Sequence, residues 1–157
     1  MPLWRWQLKV TLLAHTELDE VLAADSPIRR GQGTLQENLI EYAGRVCYRS
    51  EARMGYQPEF IALRVREGHE DIIEHVRFVF EVEGVGLNDD VLLLANQPTV
   101  EYTRLGPERW VFSLNARNVR DFWKRSRSAL GREFVRLAGA VAPSVYADLL
   151  EDAEVQA

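Results

Sequence analysis

Four polar side chains that can titrate or hold a ligand crowd into one stretch: His69, Asp71, Glu74 and His75. A histidine changes charge near neutral pH, and the carboxylates beside it accept hydrogen bonds. Further along, Asn115 and Arg117 stand at the start of a predicted helix. A guanidinium in the first helical turn opposes the helix dipole, so Arg117 calls for an acidic side chain or an anionic ligand beside it. A basic run follows: Arg117, Arg120, Lys124, Arg125 and Arg127. Cys47 is the single thiol. The His69–His75 spacing fits no usual zinc pattern, and with one cysteine a metal centre is not expected.

Each of these residues also has a plainer reading. His69 follows a helix-ending glycine and could simply bond a free carbonyl. His75 at a strand entry reads as structural. Cys47 on the apolar side of a helix would pack as a small hydrophobe. Asn115 suffices as a helix cap without any ligand, and the basic run is by default a solvated helix face.

The cluster is placed by the strand that follows it. From His75 to Val82, Val76, Phe78, Phe80 and Val82 alternate with His75, Arg77, Val79 and Glu81. A period of two with β-branched and aromatic residues predicts a half-buried strand. The polar groups then gather at the entry end of a sheet, a common way to build a site.

Around this strand the chain reads as follows. Trp6, Leu8, Val10 and Leu12 alternate as a first strand. Thr16 to Ala24 predicts a short helix. Thr34 with Glu37 three residues on has capping-box spacing, and a helix with the stripe Leu35, Leu39, Ala43 and Val46 runs to about Tyr48. Pro58 opens a helix bearing Phe60, Ile61 and Val65, which Gly68 ends. Periodicity leaves Val91 to Ala95 open, although Asn88 or Asp89 as a cap favours helix. Val100 to Leu105 and Arg109 to Leu114 form a hairpin around Gly106-Pro107. Asn115 opens a helix with Val119, Phe122 and Trp123 on its apolar face. Phe134, Leu137, Ala138 and Val141 mark another, ended by Pro143, and Ser144 caps a last one ending near Leu150. The expected fold class is α+β, a mainly antiparallel sheet flanked by helices. It forms one domain over 1–150 with an acidic tail at 151–157.

Composition limits the function classes. A chain of 157 residues, 46% hydrophobic, can fill a single core. Its net charge of −5 argues against general nucleic-acid binding through phosphates. No apolar run is long enough for a bilayer span, and the lone cysteine fits a cytoplasmic setting.

Five segments in order carry a family resemblance: LKVTLLAHT near the start, AGRVCYRSE at Ala43 to Glu51, REGHEDIIEHVRFVFEVEG at Arg66 to Gly84, WVFSLNARNVRDF at Trp110 to Phe122, and APSVYADLL. In this order they resemble the flavin-dependent thymidylate synthases, the ThyX family. The resemblance implies conversion of dUMP to dTMP with FAD, NADPH and methylenetetrahydrofolate, in a homotetramer whose sites are shared between subunits. It implies cofactor-binding roles for Cys47, His69, Asp71, Glu74, Asn115 and Arg117. Arg125 and Arg127 fall near the family's nucleotide-binding arginine.

The departures from the family pattern point to weak or lost activity. The family signature is Arg-His-Arg followed, after two residues, by Ser. By spacing from His75 that place is Leu94-Ala95-Asn96, with Thr99 in the serine position. Only a few residues separate Tyr102 from Trp110, where the family carries a nucleotide-binding stretch and a long helical segment. The alternative reading is a non-catalytic relative that binds flavin or nucleotide, or a structural oligomeric protein.

Overall fold

The computed structural model describes residues 7–19, 25–55, 59–152 and 155. A four-stranded antiparallel sheet has the order β1-β2-β4-β3, from β1 (Lys9–His15), β2 (Arg77–Glu83), β3 (Glu101–Gly106) and β4 (Arg109–Asn115). Six α-helices surround it among the described residues: α1 (Leu35–Cys47), α2 (Phe60–Arg66), α3 (Asn88–Ala95), α4 (Ala116–Ser126), α5 (Ala129–Val141) and α6 (Pro143–Leu150). The α+β class and the antiparallel sheet are as the sequence predicts.

β2 is an interior strand between β1 and β4. Val76, Phe78, Phe80 and Val82 are fully buried, and the registered partners Phe112 and Leu114 on β4 are buried with them. This face meets α4 and α5. The Phe80 ring stacks on Phe134 at 4.3 Å between centroids, and Phe122 lies 5.8 Å from Phe134. His75 belongs to a 3-10 turn, Glu70–His75, rather than to the strand. That turn hangs the polar cluster at the strand's entry.

The hairpin forms as expected, and the open stretch at 91–95 is helical, within α3. Its cap differs from expectation: Leu87 stands at the N-cap position with no side-chain bond. α6 likewise starts with Pro143 at its first position after Ala142, so Ser144 is inside the helix rather than its cap. The capping box is present: Glu37 N–H donates to Thr34 Oγ1 at 3.1 Å, and Thr34 N–H to Glu37 Oε1 at 2.9 Å. Glu37 Oε2 also accepts from the Ser144 backbone N–H at 2.7 Å.

Several expectations are corrected. Thr16 to Asp19 is not helical. There the backbone is tied to the sheet: Thr16 N–H donates to Arg77 O at 3.0 Å, and Arg77 N–H to Thr16 Oγ1 at 2.8 Å. The rest of that expected helix, like Trp6 and Pro58, lies outside the described residues. On α1 the inward face is not the apolar stripe. It consists of Gln36, Glu37, Asn38, Ile40, Glu41, Gly44 and Arg45. Leu35 and Val46 are 46% and 42% exposed. The reason is a buried pair, Arg45 Nε to Glu41 Oε2 at 3.1 Å, with Gly44 letting Phe60 approach and Arg45 lying 4.1 Å over the Phe60 ring. Cys47, at the end of this helix, is exposed and does not pack in the core.

α4 departs from the solvated-face reading at one residue. Arg120 is 2% exposed. Both oxygens of Asp148 bind it at 2.8 and 2.9 Å, its Nη1 donates to Val145 O at 2.7 Å, and Glu70 lies 3.4 Å from its Nε. Burial alone disfavours the charged guanidinium. The hydrogen bond and charge of Asp148, with Glu70 and Tyr146, outweigh it and raise the Arg120 pKa.

Candidate functional site

A cavity of about 350 Å³ opens where three segments meet. The 3-10 turn contributes Glu74, the loop after α3 contributes Gln97, Pro98 and Thr99, and the end of β4 with the first turns of α4 contributes Asn115, Arg117, Asn118, Asp121 and Arg125. Arg117, Asp121 and Arg125 are spaced by four, so one helix face presents all three.

The floor is an amide network. Asn115 caps α4 by accepting from Asn118 N–H at 2.8 Å, and Asn118 Oδ1 accepts from Asn115 N–H at 3.0 Å. The Thr99 hydroxyl bridges the two: it accepts from Asn115 Nδ2 and donates to Asn118 Oδ1, both at 3.2 Å. Asn118 Nδ2 donates to Pro98 O at 3.1 Å and Gln97 Oε1 at 3.3 Å. Gln97 is buried, and its amide nitrogen has no hydrogen-bond partner.

Thr99 sits at φ +68°, the left-handed region that a β-branched residue rarely adopts. Such a conformation costs about 1–3 kcal/mol and persists only where its surroundings hold it. Here the hold is explicit, because Arg77 Nη2 donates to Thr99 O at 2.9 Å while Asn115 and Asn118 fix the hydroxyl.

Charges line the wall. Arg117 Nη1 bonds Glu74 Oε1 at 2.8 Å, with Glu70 at 3.6 Å and Asp121 at 3.8 Å from its Nε. The bond from Glu74 is the main cause that raises the Arg117 pKa. Burial, then the Glu70 charge, pushes the Asp121 carboxyl above its ordinary value. The acidic partner that the helix dipole called for beside Arg117 is therefore Glu74.

Of the residues given cofactor or nucleotide roles in the sequence, Glu74, Asn115, Arg117 and Arg125 line this cavity. The others do not. His69 is half exposed; its Nδ1 meets the Tyr48 hydroxyl, with Glu67 at 3.9 Å. Asp71 is exposed on the 3-10 turn. Cys47 lies at the end of α1. Arg127 turns away in a left-handed cap at φ +48° and binds Asp152 at 2.8 Å. Gln97, Asn118 and Asp121 were not anticipated. Asn118 stands three residues after Asn115, the reciprocal capping position, and Asp121 four after Arg117; those spacings were the available signal.

The stretch where the family's arginine signature would fall presents no cation. Leu94 is fully buried in α3, and Asn96 closes the helix, its Nδ2 donating to Leu92 O at 2.9 Å. Thr99, in the signature's serine position, does line the cavity.

Residues 32–87 match the family model described as thymidylate synthase complementing protein. That stretch runs from the loop before α1 through β2, and the chain is consistent with a divergent member of this family. Cys47, His69, Asp71 and Glu74 fall inside the match, whereas Asn115, Arg117, Arg125 and Arg127 lie beyond it. No curated protein matches the chain. Among the described residues, no helix is long and apolar enough to cross a membrane.

Proposed function

We propose that this chain is a thymidylate synthase-like protein that binds a flavin or nucleotide in the cavity at the start of α4 and turns over dUMP weakly or not at all. The supporting observation is convergence. Glu74, the pair Asn115 and Arg117, and Arg125, singled out from three separate segments, line one cavity beside a strained Thr99.

The residues present suit part of a flavin. Ligand pockets span about 300–1,000 Å³, so a cavity of about 350 Å³ admits one ring system rather than a whole dinucleotide. Arg117 supplies donors for the carbonyls of such a ring. A bound flavin would supply hydride chemistry. The chain's own residues position it: the amide floor fixes the loop 97–99, and Glu74 fixes the guanidinium of Arg117.

Turnover is a separate matter. Charge-assisted contacts to a phosphate contribute about 1.5–3 kcal/mol each. Leu94 and Ala95 offer no donor, and Asn96 and Thr99 offer only neutral ones. The direct test is tritium release from labelled dUMP with FAD, NADPH and methylenetetrahydrofolate. The expected result is little or none; turnover near 1 per second, typical of working enzymes within about a factor of ten, overturns the reading. A flavin absorbance band on the purified protein tests the binding half independently.

A structural oligomer is the second reading, favoured by α1. Leu35 and Val46, with Tyr48 just past the helix end, leave an apolar stripe between 42% and 47% exposed. Such a stripe suits a self-complementary contact between copies of the chain, most simply within a homotetramer. The two readings are compatible, since sites in the family are shared between subunits.

A further inference from the structure

We propose that Glu74 sets the ligand class of the cavity: by holding Arg117 it turns away phosphate and other compact oxyanions, and it leaves the site to ligands uncharged at that contact. The inference rests on reading this cavity as the ligand site.

The wall carries two guanidiniums, Arg117 and Arg125, and two carboxylates, Glu74 and Asp121. The carboxylates are not equivalent in their commitments. Glu70, close by, is shared among Arg117 at 3.6 Å, Arg120 at 3.4 Å and Lys124 at 3.7 Å. Asp121 stands 3.8 Å from Arg117 and is held toward its neutral form by burial and Glu70. Glu74 engages Arg117 at 2.8 Å, the shortest of these contacts. It is therefore the one of these carboxylates that takes an Arg117 donor, Nη1, in a direct hydrogen bond, while Glu70 and Asp121 flank Nε at longer range.

A guanidinium binds phosphate or carboxylate through paired N–H donors. With Glu74 in place, a phosphate must displace it and then sit beside the expelled carboxylate, with Glu70 3.6 Å from the same guanidinium. An uncharged carbonyl or amide meets no such repulsion. Both side chains of the pair are 41% exposed, so the contact is weak enough to exchange once the carboxylate is neutralised. Glu74→Gln preserves size and one acceptor while removing the charge.

The experiment titrates inorganic phosphate and pyrophosphate into the full chain at neutral pH, following binding by calorimetry in all variants and, where Arg117 is present, its side-chain Nε–H resonance by NMR. Four proteins are compared: wild type, Glu74→Gln, Arg117→Gln and the double variant. Glu74→Gln should bind phosphate about tenfold tighter than wild type, a change equal to about 1.4 kcal/mol. The double variant, followed by calorimetry, should lose that gain. An unchanged affinity in Glu74→Gln, or a gain that survives in the double variant, overturns the proposal. Flavin binding by wild type, measured on the same preparations, separates the two claims. A phosphate gain without flavin binding leaves the role of Glu74 standing and removes the flavin reading; flavin binding without the gain does the reverse.

Discussion

Asp148 on α6 grips Arg120 on α4 with both carboxylate oxygens, at 2.8 and 2.9 Å, across 28 residues of sequence. The guanidinium is buried while the carboxylate remains half exposed. The bond from Arg120 is the main reason that the Asp148 carboxyl titrates below its ordinary value.

That relationship predicts a pH signature. A carboxyl with a depressed folded pKa contributes stability that is present above its unfolded value and lost as pH falls through the folded one. Asp148→Asn should destabilise the fold at pH 7 by about 1–3 kcal/mol, at the modest end for a buried pair because Asp148 is partly solvated. The difference from wild type should shrink as pH falls below 3.8, the ordinary carboxyl value, toward the depressed one. Asp121 works with the opposite sign, since its raised pKa favours folding only while protonated. Chemical denaturation of wild type and variant from pH 7 to pH 3 reads this; a constant difference across the range would contradict it.

Gly44→Ala should destabilise, against helix propensity. Alanine in a helix interior gains about 1 kcal/mol over glycine. Here the added Cβ would lie 2.7 Å from Phe60 Cε1 and 3.3 Å from Ile72 Cδ1. Overpacking of that kind costs about 1–3 kcal/mol, so a net loss is expected in thermal unfolding. A rise in melting temperature would show that Phe60 yields freely.

Phe80→Ala should cost about 3–5 kcal/mol. The ring is fully buried and stacks on Phe134 at 4.3 Å, joining the sheet to α5. Guanidinium unfolding measures the loss; a change under 1 kcal/mol would mean that the aromatic stack contributes little.

Val46→Glu with Leu35→Glu should lower the mass measured by light scattering, if copies of the chain meet through the α1 stripe. Both positions are exposed in the single chain, so its own fold should tolerate the charges. A wild-type chain already monomeric at micromolar concentration would remove the oligomer reading.

Arg117→Ala should weaken flavin binding, because it deletes a donor from the cavity wall. Fluorescence quenching of the flavin on titration with protein is the measurement. Equal affinity in both proteins would reduce Arg117 to a partner for Glu74.

What could be read in advance was local. Alternation from Val76 to Val82 needs only neighbours two apart, the box at Thr34 needs only residues three apart, and the Asn115 cap is read from its own position. Most of the failures involve partners distant in sequence. Arg120 reads as solvated until Glu70 and Asp148 surround it. The polar side of α1 reads as outward until Glu41 meets Arg45 and the Gly55 amide, at 3.1 and 3.0 Å. Thr16 reads as the start of a helix until Arg77 claims both its backbone and its hydroxyl. The cavity itself was half legible: Glu74, Asn115, Arg117 and Arg125 stood out, while Asn118, Asp121 and the loop 97–99 acquire meaning only when they fold together.

The doubled use of Glu37 has a kinetic consequence. One oxygen closes the α1 capping box and the other receives the Ser144 amide, 107 residues downstream. Contacts of such separation require closure of a long loop, so they form late when the chain collapses. α1 can nucleate early from its own box, but its first turn acquires its final fastening only when α6 arrives. Slowed amide exchange at Ser144 would therefore report completion of the native state, and a chain interrupted before Pro143 would leave a carboxylate oxygen on α1 waiting for a donor.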